Sequence, residues 1–146
     1  MDRLSLKSFS KINIGLKIFN RRVDGYHNIH TIFQELDFHD TIILKKRNSG
    51  CAFTSNVDWL SNNESNLCVK AWQCLVERFG ISGINIELQK NIPPGSGLGG
   101  GSSNAACILK GLTQLYNLNI SLNDLLKIGS LLGADVPFFI KGGCQI

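Results

Sequence analysis

Apolar and polar residues alternate along the first third of the chain, which is typical of β-strands. The alternation from Leu4 to Phe19 predicts two strands or one bent strand. A turn-rich loop at 20–25 follows, and residues 26–38 again have a strand pattern, which Asp40 is expected to break. Further strands are predicted at 41–46 and 51–54.

The rest of the chain mixes helical and strand patterns. Asn66 is predicted to cap a helix that ends at Gly80, and Ile84, Ile86 and Leu88 then form a strand. Helices are predicted at 103–116 and, capped by Ser121, at 122–132. Gly133 to Pro137 is expected to end the second of these, and a last strand is expected to begin at 138–140.

The order of these elements predicts an α+β fold, in which helices pack on one face of a mainly antiparallel sheet. At 146 residues the chain is about one domain long. The final residues, 142–146, stop where a strand or hairpin is under way. We therefore expect the chain to be one half of a larger protein.

A glycine-rich segment, Pro93–Asn104, joins the strand at 84–88 to the next helix. Glycine permits left-handed backbone dihedrals and removes side-chain bulk, and a helix start supplies unpaired N–H groups and a positive dipole end. The segment is therefore predicted to bind a polyanion such as a phosphate chain. A flexible surface linker is the alternative interpretation.

Three known phosphate-loop patterns do not fit this segment. Gly95-x-Gly97-x-x-Gly100 matches the dinucleotide fingerprint in letters, but Asp124, the acid at about the required distance, lies in a helical pattern. A Walker A loop needs lysine where Gly101 stands, and a protein-kinase loop needs valine where Ser102 stands. A phosphate loop of another class remains.

Composition narrows the class of partner. Hydrophobic residues make up 43% and charged residues 18% of the chain, as in ordinary globular proteins, and the net charge is +4. Such a balance suits an anionic small molecule and does not favour nucleic acid. The five cysteines contain no C-x-x-C pair, the N-terminus lacks the apolar run of a signal peptide, and no apolar stretch approaches 18 residues. We expect reduced thiols, a cytoplasmic location and no membrane partner.

Three further places in the sequence could carry chemistry. Lys11 lies on a polar strand face, where it is either solvated or a cation that stabilises a transferring phosphoryl group. Asp135 is either a cap or turn former or a carboxylate that accepts a proton from an alcohol. Tyr26 and His27 follow a turn and could stack on and hydrogen-bond a flat heterocycle, although isolated residues of these types are more often packed or solvent-facing.

In their order along the chain, these motifs resemble the GHMP small-molecule kinases, named for galactokinase, homoserine kinase, mevalonate kinase and phosphomevalonate kinase. The resemblance rests on Ser10-Lys11-Ile12-Asn13, on Pro93 to Ala106 and on Gly133-Ala134-Asp135-Val136-Pro137. With Arg22-x-Asp24-Gly25-Tyr26-His27, the chain is similar to the members that phosphorylate a cytidine diphosphate-linked methylerythritol in the non-mevalonate route to isoprenoids. Another GHMP kinase, which would lack that run, and a non-catalytic nucleotide-binding domain are the alternatives.

The resemblance also implies a domain organisation and an activity. Residues 1–146 would be the N-terminal, ATP-binding domain of a GHMP kinase, with the fold called ribosomal protein S5 domain 2-like. A C-terminal GHMP domain is expected in addition. The implied activity is ATP- and Mg²⁺-dependent phosphorylation of the 2-hydroxyl of the small-molecule substrate, by a monomer or weak homodimer.

Roles for single residues follow from the same resemblance. Asp135 is implied to take the hydroxyl proton, while Lys11 holds Asp135 ionised and stabilises the alkoxide. Asn13, Tyr26 and His27 are implied to bind the substrate, and Ser102 or Ser103 is the implied Mg²⁺ ligand. The residues implied to bind ATP are Asn66, Leu67, Lys90, Pro93, Gly95, Ser96, Gly97, Leu98, Gly99, Gly100, Gly101, Ser102 and Ser103.

Overall fold

A mixed sheet forms one layer of the described fold. The computed structural model describes residues 1–21 and 27–146, with the side chains of residues 1–15 and 31–146. Within them the strands are β1 (Arg3–Arg21), β2 (His27–Arg47), β3 (Cys51–Ser55), β4 (Gly83–Gln89) and β5 (Cys144–Gln145). Their order is β1-β2-β4-β3, and β5 also pairs with β2. Only β3 and β4 pair in parallel, so the described sheet is mainly antiparallel, as predicted.

Helices form the second layer. In the described part of the chain they are α1 (Leu67–Phe79), α2 (Gly100–Leu115), α3 (Leu122–Leu132) and α4 (Val136–Lys141). Helix α2 is central, because it packs on β1 and β2 and also contacts the other three helices. On β4, Ile86 and Leu88 are buried beneath the helices, whereas Glu87 between them is exposed on the other face. The predicted α+β architecture, with helices on one face of the sheet, is confirmed.

Strand β2 runs without a break through Asp40, so the expected interruption at this residue is wrong. The side chains of Asp40, Ile42 and Leu44 share the buried face of the strand, and none of the three is exposed. A carboxylate can occupy that row only because it is fully hydrogen-bonded, including an ion pair with Lys90. The predicted strands at 26–38 and 41–46 are therefore one strand.

The predicted helix caps are confirmed at three positions. The side chain of Asn66 accepts a hydrogen bond from the N–H of Cys68, and Gly80 ends α1 with φ 63°. The side chain of Ser121 accepts from the N–H of Asp124 at the start of α3. These bonds satisfy N–H groups that lack an intrahelical partner.

One predicted helix start and one predicted strand are wrong. Helix α2 begins at Gly100 and not at Ser103, because Gly99, with φ 74°, already turns the chain into the helix. The predicted strand at 138–140 is part of the six-residue helix α4, which has proline in its first turn, where the missing N–H costs nothing. All of Phe138, Phe139 and Ile140 are buried, so the apolar run reflects a short helix held in the core.

Helix α2 reaches the sheet most closely at Gly111. A Cβ added there would lie 2.5 Å from Cδ1 of Leu6 and 2.6 Å from Cδ1 of Leu44. Such distances are shorter than real side-chain contacts, so glycine is what allows the helix to pack on β1 and β2 at this depth.

We expect Gly111→Ala to lower the free energy of unfolding by about 1–2 kcal/mol, because overpacking by one methyl outweighs the roughly 1 kcal/mol gained in helix propensity. Gln114→Ala, an exposed position one turn later, is the control and should change stability by less than about 0.5 kcal/mol. Urea denaturation measures both. A variant Gly111→Ala that is more stable than the parent would contradict this packing.

Candidate functional site

The glycine-rich segment is a loop with left-handed turns that connects β4 to α2. Gly95, Gly97 and Gly99 have φ angles of 66°, 75° and 74°, so every second residue takes a conformation that favours glycine. Cβ atoms added at Gly95 and Gly97 would meet nothing within 4 Å. The backbone of the loop is thus open on one side, and its N–H groups can face a ligand, as in anion-binding nests.

The end of the loop is clamped by neighbouring elements. The N–H of Lys11 on β1 donates to the carbonyl of Leu98 over 2.9 Å. A Cβ added at Gly99 would lie 2.6 Å from Cζ of Phe139 and 3.3 Å from Cε of Lys11. Gly99 therefore lets β1 and α4 meet the loop at one point.

Lys11 is a buried cation beside the loop, not a solvated surface residue. It is 6% exposed, although residues 12–15, which follow it on the strand, are open to solvent. Its Nζ donates to Oδ1 of Asn13 and lies 5.5 Å from the ring centre of Phe33. The structure thus brings two sequence-predicted site residues, Lys11 and Asn13, into direct contact.

Asp135 occupies the turn before α4. It stands at the N-cap position, but its carboxylate makes no capping bond and is half-buried. A Cβ added at Gly133, in the same turn, would lie 3.8 Å from Oγ of Ser102 at the start of α2. Asp135 and Lys11 form no ion pair within 4.0 Å; both side chains are among those described. The turn that contains Asp135 therefore borders the start of α2, and its carboxylate forms no ion pair with a side chain that the structure describes.

The position of α4 is set from its far end. Nε2 of Gln145 donates to the carbonyls of Phe138 and Gly142 over 3.1 and 2.9 Å. Strand β5, which contains Gln145, pairs with β2 at Phe33 and Gln34. The helix that follows Asp135 is thus tied to the sheet.

A cavity of about 370 Å³ opens above the loop. It joins a second cavity of about 300 Å³, since Trp59, Leu60, Leu67, Gly101 and Asn104 line both. The loop residues that line the larger cavity are Pro93, Pro94, Gly95, Ser96, Gly97, Gly99, Gly100, Gly101 and Ser102. The smaller one lies against Asn66 and Leu67 at the start of α1. We call the space above loop residues 93–102 the cradle, and the smaller cavity beside Asn66 and Leu67 the recess. The polar cradle thus continues into a more apolar recess.

Three of the residues implied to bind ATP differ in accessibility. Leu67 is half-buried and borders both cavities. Asn66 also lines the recess, but its side chain is engaged with the N–H of Cys68 and the carbonyl of Ser61. Lys90 lies on the cradle side, 8% exposed, with its Nζ on Asp40 and Asn104.

The two candidate Mg²⁺ ligands have different surroundings. The hydroxyl of Ser103 is buried, with its Oγ 3.0 Å from Oγ of Ser8. Ser102 is half-buried and lines the larger cavity. The geometry favours Ser102 as the hydroxyl that faces the cradle.

Sequence reasoning missed Trp59, Asp40 and Asn104. Trp59 is half-exposed in the segment between β3 and α1 and lines both cavities; its only signal was a large aromatic residue in a polar loop. The signal for Asp40 was a charged residue within an alternation of apolar residues, and we interpreted it as a break in the strand. Asn104 has a side chain buried in the first turns of a helix, where asparagine is unusual.

The predicted contacts to a heterocycle cannot be placed. Tyr26 lies outside the described residues. His27 is the first residue of β2, but its side chain is outside those described.

Burial changes the acidity of the thiols near this site. It raises the pKa of Cys68, which lines the smaller cavity, and of Cys107 in α2 to about 12 each. The pKa of Cys51 and of Cys74 is raised by the same cause. Cys144 is exposed.

A family model describes the part of the chain that contains the loop and Asp135. The model for the N-terminal domain of GHMP kinases matches residues 66–143, which is more than half of the chain. The chain belongs to the GHMP kinases. The helical layer and the whole glycine loop lie within the match, whereas Lys11 and Asn13 lie before it.

Known GHMP kinases extend the likeness to the remaining strands. A protein named 4-diphosphocytidyl-2-C-methyl-D-erythritol kinase from Acetivibrio thermocellus is 40% identical over 147 residues, which cover all of this chain and 52% of that protein. A protein of the same name from Persephonella marina is 43% identical over 142 residues, covering 97% and 52%. The chain thus spans about half the length of the curated relatives it matches.

Solved structures agree with this assignment. A crystal structure of 4-(cytidine 5'-diphospho)-2C-methyl-D-erythritol kinase superposes with a TM-score of 0.86 at 37% identity, covering 97% of this chain and 50% of that one. Homoserine kinase from Cytophaga hutchinsonii superposes with a TM-score of 0.73 at 24% identity, over 99% and 48%. The second likeness concerns the fold alone. No helix among the described residues of this GHMP kinase has the length and apolar character needed to cross a bilayer.

We expect the five cysteines to react with iodoacetamide at pH 8 in order of exposure, with Cys144 first and Cys51 and Cys74 slower. Cys68 and Cys107 should stay unmodified, because burial disfavours their thiolates and blocks access. Peptide mass spectrometry reads the order, and labelling in urea, where all five should react, is the control. Native labelling of Cys68 as fast as Cys144 would contradict the packing beneath the recess.

Proposed function

We propose that the protein is an ATP-dependent kinase that phosphorylates the 2-hydroxyl of 4-diphosphocytidyl-2-C-methyl-D-erythritol in the non-mevalonate route to isoprenoid precursors. The observation that carries the proposal is the open glycine cradle, with one buried lysine beside Gly99 and one half-buried aspartate, which makes no capping bond, in the turn beside Ser102. The substrate is taken from relatives of that name that are 40–43% identical over nearly the whole chain. The match to the Acetivibrio thermocellus relative covers the whole chain and so includes β1, where Lys11 and Asn13 lie.

The cradle would hold the phosphates of ATP. The backbone N–H groups of the loop glycines and the N-terminus of α2 would supply donors and a partial positive charge, and a Cβ added at Gly95 or Gly97 would meet nothing within 4 Å. A Cβ at Gly101 would touch only Cδ1 of Leu67, at 3.8 Å, so the space above it is free for a ligand. The recess beside Leu67, Leu60 and Trp59 would take the adenosine, since its apolar walls suit a flat base.

Mg²⁺ fits the same cradle through a hydroxyl. Mg²⁺ prefers oxygen ligands and commonly binds through one or two protein groups together with substrate phosphates. Ser102, which faces the larger cavity, would be that protein group, with Ser103 behind it. Bound Mg²⁺ would neutralise charge on the transferring phosphate.

Asp135 and Lys11 would carry the transfer itself. Asp135 accepts the proton of the substrate hydroxyl, whose oxygen then bonds to the γ-phosphorus as the bond to the β-phosphate oxygen breaks. Lys11 supplies a fixed positive charge near the developing alkoxide, in a site where burial reduces competition from water. Asn13, whose carbonyl oxygen is held by Lys11, would present its amide N–H groups to the substrate. We also propose that Tyr26 and His27 bind the cytosine.

We expect Asp135→Asn to lower kcat by about 10²–10⁴-fold, because the amide cannot accept the proton. Asp124→Asn, in the first turn of α3, is the matched control and should keep activity. ADP release is followed with 4-diphosphocytidyl-2-C-methyl-D-erythritol, and with mevalonate and homoserine alongside. Turnover with another alcohol would sink the substrate assignment, and full activity of Asp135→Asn would sink the role of Asp135.

Gly101→Ala tests the cradle separately from the fold. Gly101 lies in the first turn of α2, where alanine is favoured by up to about 1 kcal/mol and meets only Leu67. We expect unchanged or higher thermal stability but about tenfold weaker Mg-ATP binding, equivalent to about 1.4 kcal/mol, because the added methyl occupies ligand space. Calorimetric titration measures the affinity. Equal affinity in the two proteins would place the nucleotide elsewhere.

A further inference from the structure

A buried polar cluster joins the sheet to the first turns of α2 directly beneath the glycine cradle. We call it the Asp40 cluster: Ser8 on β1, Asp40 on β2, Lys90 after β4, and Ser103 and Asn104 on α2. All five residues are at most 8% exposed. They sit at the point where β1, β2 and β4 meet the helix that would hold phosphate.

Asp40 is the centre of the cluster because its carboxylate accepts four hydrogen bonds. Oδ1 accepts from the N–H groups of Asn91 and Ile92, over 2.6 and 2.8 Å. Oδ2 accepts from Nζ of Lys90 over 2.6 Å and from Nδ2 of Asn104 over 3.0 Å. The side chain of Asp40 thus holds residues 91–92 before the loop, the ammonium of Lys90 below the loop, and Asn104 on the helix after it.

The cation that Asp40 holds lies under the helix start. A Cβ added at Gly100 would be 2.8 Å from Nζ of Lys90, so the ammonium occupies the space where a side chain would be. Nζ also donates to Oδ1 of Asn104 over 2.9 Å. Lys90 borders the larger cavity as well, so its charge contributes to the floor of the cradle.

A bonding chain continues from the cation to the serine pair. Nδ2 of Asn104 donates to Oγ of Ser8 over 2.8 Å, and Oγ of Ser8 is 3.0 Å from Oγ of Ser103. The side chains of Asn104 and Ser103 are therefore oriented by partners on the sheet. Ser102, beside them on the helix, lines the cradle.

Stability alone does not require charges at these positions. Asp40 continues the buried row of Ile42 and Leu44, and Lys90 continues the buried row of Ile86 and Leu88. Replacing a buried ion pair by apolar residues of similar volume is often neutral or stabilising. An ion pair at the end of both rows, next to the cradle, suggests a use in binding.

We propose that Asp40 is a positioning residue for the nucleotide: it orients the ammonium of Lys90 and the first turn of α2 so that both face the phosphates. This inference rests on the proposed function, because it assumes that the cradle binds Mg-ATP. Asp40 acts through Lys90 and Asn104 and does not touch the ligand.

The test is a double-mutant cycle for Mg-ATP affinity, measured by calorimetric titration of the full-length protein. The variants are Asp40→Asn, Lys90→Met and the two combined. We expect Asp40→Asn to weaken binding at least about tenfold. All four partners of the carboxylate are donors, so the amide NH₂ of the asparagine would face another donor and the charge-assisted bond to Lys90 would be lost. In the Lys90→Met background the same substitution should have little further effect, because the cation it orients is gone.

A control separates positioning from general loss of stability. Ile84→Val shortens a buried side chain at the far end of the β4 row and should lower the melting temperature without changing the affinity for Mg-ATP. Asp40→Asn leaves the charge of Lys90 unpaired, and Lys90→Met leaves that of Asp40 unpaired. If a single variant fails to fold, the double variant is measured in its place, because it buries neither charge. The double variant should fold and bind Mg-ATP at least about tenfold more weakly than the parent.

The possible results discriminate between this inference and the proposed function. A parent protein that binds no Mg-ATP would overturn the proposed function, and this inference with it. A parent that binds, together with a folded double variant of equal affinity, would overturn the role of Asp40 alone. Effects of Asp40→Asn that are the same with and without Lys90 would also overturn it, because Asp40 would then not act through the cation.

Discussion

The whole site depends on two positions where no side chain fits, Gly99 and Gly100. A Cβ at Gly99 would overlap Phe139, and a Cβ at Gly100 would overlap Nζ of Lys90. Helix α2 can therefore start in contact with α4 on one side and with the charged end of the sheet on the other. The remaining glycines of the loop, such as Gly97 and Gly101, are open and would leave room for the proposed ligand. One glycine run thus meets two unrelated steric demands.

Burial arranges the charges around this loop. Lys11 and Lys90 are both nearly inaccessible, and both lie within a few ångströms of the loop glycines. Lys90 is paired with Asp40, whereas Lys11 donates to the neutral amide of Asn13. No described carboxylate pairs with Lys11 within 4.0 Å, and a cation without a counter-charge at bonding distance keeps more of its field for a bound anion. Among the described residues the two lysines therefore differ: Lys90 is neutralised where it holds the loop, and Lys11 would keep its charge for the proposed reaction.

Local signals in the sequence were enough for much of the fold. Asn66, Gly80 and Ser121 were predicted as helix ends because capping depends on residues a few positions apart. Asp40 was misjudged because its partners Lys90 and Asn104 lie 50 and 64 positions away, and no local pattern contains them. The apolar run at 138–140 predicts a strand, because a short apolar run is common to buried strands and buried helices. Packing against other helices decides between the two.

Helix α4 has six residues, and a helix of that length does not persist by itself in water. Its last turn is closed by the side chain of Gln145, whose strand is paired with β2. The location of Asp135 at its other end therefore depends on the packing of α4 on α2 and α3 together with this tie to the sheet. Loosening β5 would weaken the hold on α4 and on Asp135, while the glycine loop kept its bonds to β1 and Asp40 and shared only the contact of Gly99 with Phe139. In the proposed reaction, a change at this edge of the sheet would therefore affect the aspartate that removes the proton more than the loop that holds the nucleotide.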